Sequence, residues 1–416
     1  MATGAVARAP PRAPARRAAR VRPRPRRASA HAAEAGAEAS GAQTHADGTA
    51  ARASVAAFPR PRSPARYYAL PLSVAAACVA SAAGAAPSML APGIAFVVVP
   101  LVDAFLGEDT SPPLPDDGSG RALPSLHYRA PLLTFAFVAM ASLPYCCARF
   151  CVQASAALAH TSAPGALGLV ALVLSSGVVG GLGINVAHEL VHSTRRSERV
   201  LARVLLSFYC YVYWATSHLS HHRHVGLPER DSATAALGET VWGFAARAPA
   251  KNLRLALHDE RRRLRRAEWA LGPSVVCGTL CALYGPLASV FYLAQAAVAV
   301  FLLETVNFVE HYGLQRQSRR KSAPPSTEIS WNGSWPASDA LLFNLQRHAD
   351  HHDAGRASVP YERLRLHSEG AMSAPRLPAS YPVLILLSVF MPPLYSRLMD
   401  GRAREANARA RALYET

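Results

Sequence analysis

Charged side chains are almost absent from four long stretches of this 416-residue sequence. They are residues 67–102, 130–148, 161–194 and 269–303, and Glu189 is the only charged residue in them. Crossing the ~30 Å hydrocarbon core of a bilayer takes roughly 20 apolar residues. Membrane spans therefore explain these stretches better than buried core helices of a large soluble protein do. The first and last stretches are long enough to cross twice and are interrupted by Ala86-Pro87 and Gly285-Pro286. The sequence therefore predicts an all-α integral membrane protein with about six transmembrane helices, at 67–87, 89–106, 130–149, 166–187, 269–285 and 287–304.

The motif Cys-x-x-Cys is also absent, although the chain has seven cysteines. Its absence argues against a zinc ribbon and against a fused rubredoxin domain. Nearly all the cysteines lie in the apolar segments, where a thiol behaves as a small hydrophobic group. A disulfide framework is therefore not expected.

Acidic residues are absent before Glu34, and residues 1–66 carry 13 arginines against three acidic residues. That surplus of ten accounts for most of the net charge of +17, so the charge does not indicate a nucleic-acid partner. An arginine-rich segment without an apolar core resembles a chloroplast or mitochondrial transit peptide, with a plain disordered basic extension as the alternative. We expect a basic targeting segment at 1–60, a membrane domain at 61–400 and a basic tail at 401–416, in an organellar membrane or an endomembrane.

Histidine is present in four compact groups that hold nine of the sixteen histidines. The groups are HELVH (His188, His192), HLSHH (His218, His221, His222), NFVEH (His311) and HADHH (His348, His351, His352). Alone, His-Glu-x-x-His is typical of zinc metalloproteases. Nine imidazoles exceed the three protein ligands of a catalytic zinc, so two metal ions are predicted. Imidazole suits zinc, copper, iron and nickel alike, and the ligand type leaves the metal open.

The predicted spans place all nine histidines on one side of the membrane, because an even number of crossings precedes residues 188–268 and the chain after 304. This requires the moderately apolar stretch 200–216 to lie in the interface without crossing. Arginine and lysine are frequent on the same side, notably between Lys251 and Arg266. The positive-inside rule makes that side cytosolic, stromal or matrix.

Carboxylates neighbour three of the histidine groups: Glu189, Glu310 and Asp350. Carboxylates of this kind accept hydrogen bonds from metal-bound histidines and orient them. We predict that role for all three, with solvated loop carboxylates as the alternative.

Four segments resemble the membrane-bound alkane 1-monooxygenase family, whose members are related to membrane fatty-acid desaturases. They are NVAHELVHS (185–193), NFVEHYGLQR (307–316), LQRHADHH (345–352) with Pro360-Tyr361-Glu362-x-Leu364 after it, and the tail at 377–391. The resemblance covers roughly residues 65–400. One histidine group differs from the family pattern. The family has Glu-His-x-x-x-His-His there, whereas this chain has Ser217-His218-x-x-His221-His222. An apparent one-residue insertion follows near Arg230-Asp231.

The resemblance implies a non-haem di-iron centre held by all nine grouped histidines. It also implies hydroxylation of an unactivated, terminal C–H bond of an alkane or fatty acyl chain, with O2 and two electrons from a rubredoxin- or ferredoxin-like donor. The basic residues at 251–266 could receive that donor or bind anionic lipid. Lipid desaturation by the same di-iron chemistry, an intramembrane metalloprotease and a non-catalytic metal-binding protein are the competing interpretations.

Overall fold

A computed structural model describes residues 63–84, 86–111, 126–159, 165–258, 266–317, 327–353, 356–366 and 374–415 of the chain. The predicted targeting segment at 1–60 lies outside the described residues, as do 259–265 of the basic run after Lys251. The described part is helical, with one isolated β-bridge between Asn332 and Arg376. The expected all-α fold is therefore confirmed.

The described part of the chain contains thirteen α-helices. In chain order they are α1 (Ala65–Ala83), α2 (Leu90–Leu106), α3 (Leu126–Leu158), α4 (Ala166–His192), α5 (Arg196–Ser207), α6 (Trp214–His224), α7 (Val241–His258), α8 (Arg266–Tyr284), α9 (Leu287–His311), α10 (Pro336–Leu342), α11 (His348–His352), α12 (Tyr381–Phe390) and α13 (Pro392–Glu415). A π-helical segment, Ile94–Val98, lies within α2. The predicted tail at 401–416 forms the last part of α13 as far as Glu415.

Helices occupy all six predicted spans, and three of them (α3, α4 and α9) are long and apolar enough to cross a membrane. The predicted breaks are found where expected. Gly84 ends α1 with φ 78°, and Gly285 separates α8 from α9 with φ 85°, a left-handed conformation that glycine adopts at little cost. Crossing by α1, α2 and α8 remains a prediction.

The stretch between the first two histidine groups forms a short helix, α5, and then a turn. Its 12 residues rise only about 18 Å, which is too short to cross the hydrocarbon core. One face of α5 is buried through Ala202, Leu205 and Leu206, while Val200 and Val204 are exposed. This is the pattern expected of an interfacial helix.

Helix α4 makes its most extensive helix contact with α9, and glycines on α4 make a close approach possible. A Cβ on Gly177 would lie 2.3 Å from Val298 Cγ1, and one on Gly180 would lie 2.8 Å from Ala299 Cβ. Small residues at such positions let membrane helices pack backbone to backbone. Because α4 ends at His192 and α9 ends at His311, this contact fixes two of the four histidine groups relative to each other.

A fully buried arginine, Arg347, immediately precedes α11 and joins separate parts of the chain. Its guanidinium donates to Ser334 Oγ at 3.0 and 3.2 Å, to Leu364 O at 2.9 Å, and to the carbonyl oxygens of Asp109 and Ser111 at 3.3 and 3.2 Å. Arg347 therefore ties the start of α11, where His348 lies, to three separate segments of the chain.

Replacing Arg347 with methionine should lower the thermal midpoint of the detergent-solubilised protein by roughly 5–10 °C, because removing one member of a buried charged network costs about 3–5 kcal/mol. Thermal unfolding followed by tryptophan fluorescence measures it. The matched control is Arg404→Met, since Arg404 is 66% exposed and pairs with Asp400 on the surface of α13. Equal midpoints for the two variants would contradict the assigned role.

Candidate metal centre

Nine histidines meet where four helices end or begin. The last turn of α4 carries His188 and His192, which lie on one helix face because they are four residues apart. Helix α6 brings His218, His221 and His222, α9 ends at His311, and α11 consists almost wholly of the HADHH segment. The structure thus brings together every histidine that the sequence predicted for the site.

The nine ring systems divide into two groups, each with ligand nitrogens within 4.8 Å of one another. The five-histidine group consists of His188, His192, His218, His222 and His351. Within it, Nε2–Nε2 distances are 2.8 Å for His188–His351, 2.8 Å for His192–His218 and 3.1 Å for His218–His222.

The four-histidine group consists of His221, His311, His348 and His352, all buried. Its Nε2 atoms are 3.2 Å apart for His311–His348 and 3.2 Å apart for His221–His352. Two groups of converging nitrogens match the two metal ions that the histidine count predicted.

The geometry of both groups fits metal ions. A metal–nitrogen bond of about 2.0–2.1 Å places neighbouring ligand nitrogens roughly 3 Å apart, as these are. The Nδ1 atoms of His348, His351 and His352 are buried without a hydrogen-bond partner in the described part of the chain. No hydrogen bond at Nδ1 there competes with an orientation in which Nε2 faces the centre.

The protonation state also fits. The pKa values of His218, His222 and His351 lie well below the ordinary histidine value. Burial is the larger cause, and repulsion from neighbouring imidazoles is the smaller one. The same two causes lower the pKa of His348 and His352. Neutral imidazole is the metal-binding form, so the site presents ligands that need not lose a proton first.

The shortened group on α6 still serves both halves of the centre. His218 and His222 are four residues apart and join the five-histidine group, while His221 points to the four-histidine group. Ser217, at the position where the family pattern has glutamate, is buried and donates to Trp214 O at 3.1 Å. The Trp214 ring stacks on His218 with 4.4 Å between centroids. The ring of His218 therefore packs against the face of the Trp214 indole.

The three predicted carboxylates have different surroundings. Glu310 Oε2 lies 3.3 Å from His348 Nε2, on the side of the ring that faces the centre, and its Oε1 accepts from Tyr381 at 3.3 Å. Asp350 forms a two-contact ion pair with Arg356, 2.7 Å each. Glu189 is half-buried and, with His192, lines a cavity of about 540 Å³ that opens to solvent. Their predicted roles stay predictions.

A fourth carboxylate, Asp231, was not predicted as a site residue. His221 Nδ1 lies 2.8 Å from Asp231 Oδ1, while Thr234 Oγ1 donates to Oδ2 at 2.5 Å. Burial alone would raise the pKa of Asp231, but the contact with His221 and the Thr234 hydrogen bond hold it below its ordinary value. The arrangement orients His221 so that Nε2 faces the four-histidine group.

The segment next to Asp231 is anchored by a buried polar network. Ser232 Oγ donates to Asn252 Oδ1 at 2.5 Å, and Asn252 Nδ2 donates to Tyr211 Oη at 3.0 Å and to Glu304 Oε1 at 3.1 Å. Tyr211 also donates to Glu304. The network ties α7 and α9 to the loop that supports His221.

An apolar cavity lies among α2, α4, α9, α10 and α12, and the empty space in it and at its opening is about 560 Å³. Three of the elements that line it lead to the metal centre: Asn185 is three residues before His188, Leu345 three before His348, and Val306 five before His311. Its lining residues are Ala95, Phe96, Val178, Gly181, Leu182, Asn185, Leu302, Leu303, Val306, Leu341, Leu342, Leu345, Pro382 and Ile385. The cavity wall is therefore apolar apart from Asn185, and parts of it immediately precede three of the histidine groups in the chain.

Known proteins resemble this chain across the same region. The fatty acid desaturase family profile matches residues 164–385, which include all nine site histidines. Alkane 1-monooxygenase 2 of Pseudomonas aeruginosa is 32% identical over 330 residues, 75% of this chain and 82% of the relative. Alkane 1-monooxygenase 1 of Alcanivorax borkumensis is 33% identical over 325 residues, 74% of this chain and 76% of the relative. The xylene/toluene monooxygenase hydroxylase component XylM of Pseudomonas putida is 28% identical over 227 residues, 51% of this chain and 58% of the relative.

Proposed function

This chain is an oxidoreductase that belongs to the fatty acid desaturase family and is related to alkane 1-monooxygenases, and we propose that it hydroxylates a terminal C–H bond of an alkane or fatty acyl chain. In that reaction R–H, O2, two electrons and two protons give R–OH and water. The observation that carries the proposal is the nine-histidine centre, together with an apolar cavity whose lining includes residues three to five positions before site histidines.

The residues of this chain would divide the task in a simple way. The five- and four-histidine groups would each hold one iron ion, and two iron ions there would supply the activation of O2 that side chains cannot perform. The cavity would bind the alkyl chain, exclude water and hold one end of the chain towards the histidines. Removing apolar surface from water contributes roughly 0.8 kcal/mol per buried CH2, which is enough to bind a long chain without polar contacts.

Turnover under isotopically labelled O2 tests the proposal. The iron-loaded protein in lipid nanodiscs, with a reduced ferredoxin and dodecane, should give dodecanol carrying one labelled oxygen. Alcohol whose oxygen comes from water, or an absence of any oxidised product across alkanes and fatty acyl esters, would overturn it.

Desaturation of an acyl chain is the second candidate, because the matching family profile is that of fatty acid desaturases. Both reactions begin by removing hydrogen from an unactivated carbon. The same assay separates them, since desaturation yields an alkene without label and hydroxylation a labelled alcohol.

The electron donor is proposed to be an acidic rubredoxin- or ferredoxin-like protein that docks on α7. Arg254 is exposed there, and Lys251 is partly exposed and donates to Pro228 O. At limiting donor concentration, turnover should fall as salt rises, because exposed charges attract a partner less strongly when screened. Arg254→Glu should raise the KM for the donor while kcat stays unchanged. A rate independent of salt would place docking elsewhere.

An organellar membrane is proposed from the composition of residues 1–66. The relatives named above are bacterial proteins. Fusing residues 1–66 to a fluorescent protein and following it in plant and animal cells checks the location, and a diffuse cytosolic signal in both would reject it.

A further inference from the structure

The apolar cavity contains one hydrogen-bonding side chain among its lining residues, and that side chain is Asn185 on α4. Asn185 is 4% exposed. Its neighbours in the lining are aliphatic or aromatic, apart from Gly181. A lone amide in such a wall requires a reason, because an amide buried without partners is costly.

The Asn185 amide has a hydrogen-bond partner at its nitrogen but not at its oxygen in the described part of the chain. Asn185 Nδ2 donates to Leu342 O at 2.9 Å, which fixes the orientation of the amide, since a carbonyl oxygen can accept only from the NH2 group. Asn185 Oδ1 has no hydrogen-bond partner in the described part of the chain. A buried acceptor left in this state costs about 1–3 kcal/mol, and a donor brought by a ligand would recover part of that.

The position of this acceptor within the cavity is informative. Asn185 precedes the metal-site residue His188 by three residues, a helix rise of about 4.5 Å, whereas Val178, also in the lining, is two turns further away. Among the α4 residues that line the cavity, Asn185 is therefore the one nearest the metal centre along the helix. Along the rest of the cavity only apolar contacts are offered.

We propose that Asn185 Oδ1 accepts a hydrogen bond from the hydroxyl group of the alcohol product, and so makes the cavity bind a hydroxylated chain more tightly than the parent alkane. The inference rests on the proposed function, because that reaction creates a hydroxyl donor at the metal-centre end of the chain. An alkane offers no donor and leaves Oδ1 unsatisfied. Asn185 is thus a specificity-determining residue that retains product.

Direct binding tests this without turnover. Dodecanol and dodecane compete with a fluorescent fatty-acid probe on the iron-loaded protein in nanodiscs, kept free of O2 and reductant. In Asn185→Ala, the preference for dodecanol over dodecane should fall about 3–10-fold, the effect of losing one buried hydrogen bond. Asn185→Leu, of similar volume, should lower it equally. Iron content and thermal midpoint show whether each variant is folded.

Leu182→Ala is the matched control, since Leu182 lines the same cavity one turn away and offers no polar atom. It should weaken both ligands together and leave their ratio unchanged. An unaltered ratio in both Asn185 variants would overturn the inference and leave the proposed function standing. A changed ratio in a protein that oxidises neither alkanes nor acyl chains would overturn the proposed function, while Asn185 would remain an acceptor for a hydroxyl-bearing chain.

Discussion

Replacing His348 with alanine should abolish hydroxylation and reduce iron from about two ions per chain to about one. Loss of a partner behind a ligand costs roughly 10–100-fold in metal affinity or activity, so loss of a ligand should cost at least about 100-fold. His348 belongs to the four-histidine group, which would keep only three imidazoles. Iron content by mass spectrometry and Mössbauer spectra of iron-57-enriched protein measure the result.

The two groups should respond unequally. His192→Ala would leave four imidazoles in the five-histidine group, so that variant should retain more iron than His348→Ala while also losing turnover. The same loss of activity is expected for His188, His221, His311 and His351. Full turnover in two of these variants would contradict the assignment of all nine histidines as ligands.

His224 provides the control within the same helix. It is the last residue of α6, two positions after His222, and its Nδ1 contacts Ser220. It lies outside both histidine groups. His224→Ala should therefore keep its iron and its activity, which separates the removal of a ligand from the removal of any histidine near the site.

The histidine site could be predicted because its signal is local. Four-residue spacing places His188 and His192 on one helix face wherever that helix lies, and Gly285-Pro286 interrupts a helix by its own backbone chemistry. The division into five and four imidazoles has no such local signal. It depends on how the ends of α4, α6, α9 and α11 meet, which is set by long-range packing such as that of α4 on α9.

Carboxylates show the limit of reasoning from neighbours in sequence. Asp350 lies between two site histidines in the chain, yet its side chain is paired with Arg356. Asp231 is ten residues from His221 and contacts its ring. A loop, not a helix, makes that contact, so no periodic spacing predicts it. In the sequence, Asp231 stood out only as part of an apparent insertion.

Replacing Asp231 with alanine should lower the iron affinity of the four-histidine group about 10–100-fold, because His221 would lose the acceptor that fixes its ring and raises its basicity. Asp231→Asn should have a smaller effect, since the amide oxygen can still accept from Nδ1 but carries no charge. The rate at which a chelator removes iron, followed together with the Mössbauer signal, measures both.

Glu229→Gln is the appropriate comparison, because Glu229 is an exposed carboxylate two residues away in the same loop. If Asp231 acts only through the overall negative charge of the loop, the Asn and Gln variants should lose iron at similar rates. If it acts through His221, Asp231→Asn should release iron faster than Glu229→Gln, and the loss should begin in the four-histidine group. His188 and the other four histidines of its group should then keep their metal, because the histidine that Asp231 contacts, His221, belongs to the four-histidine group.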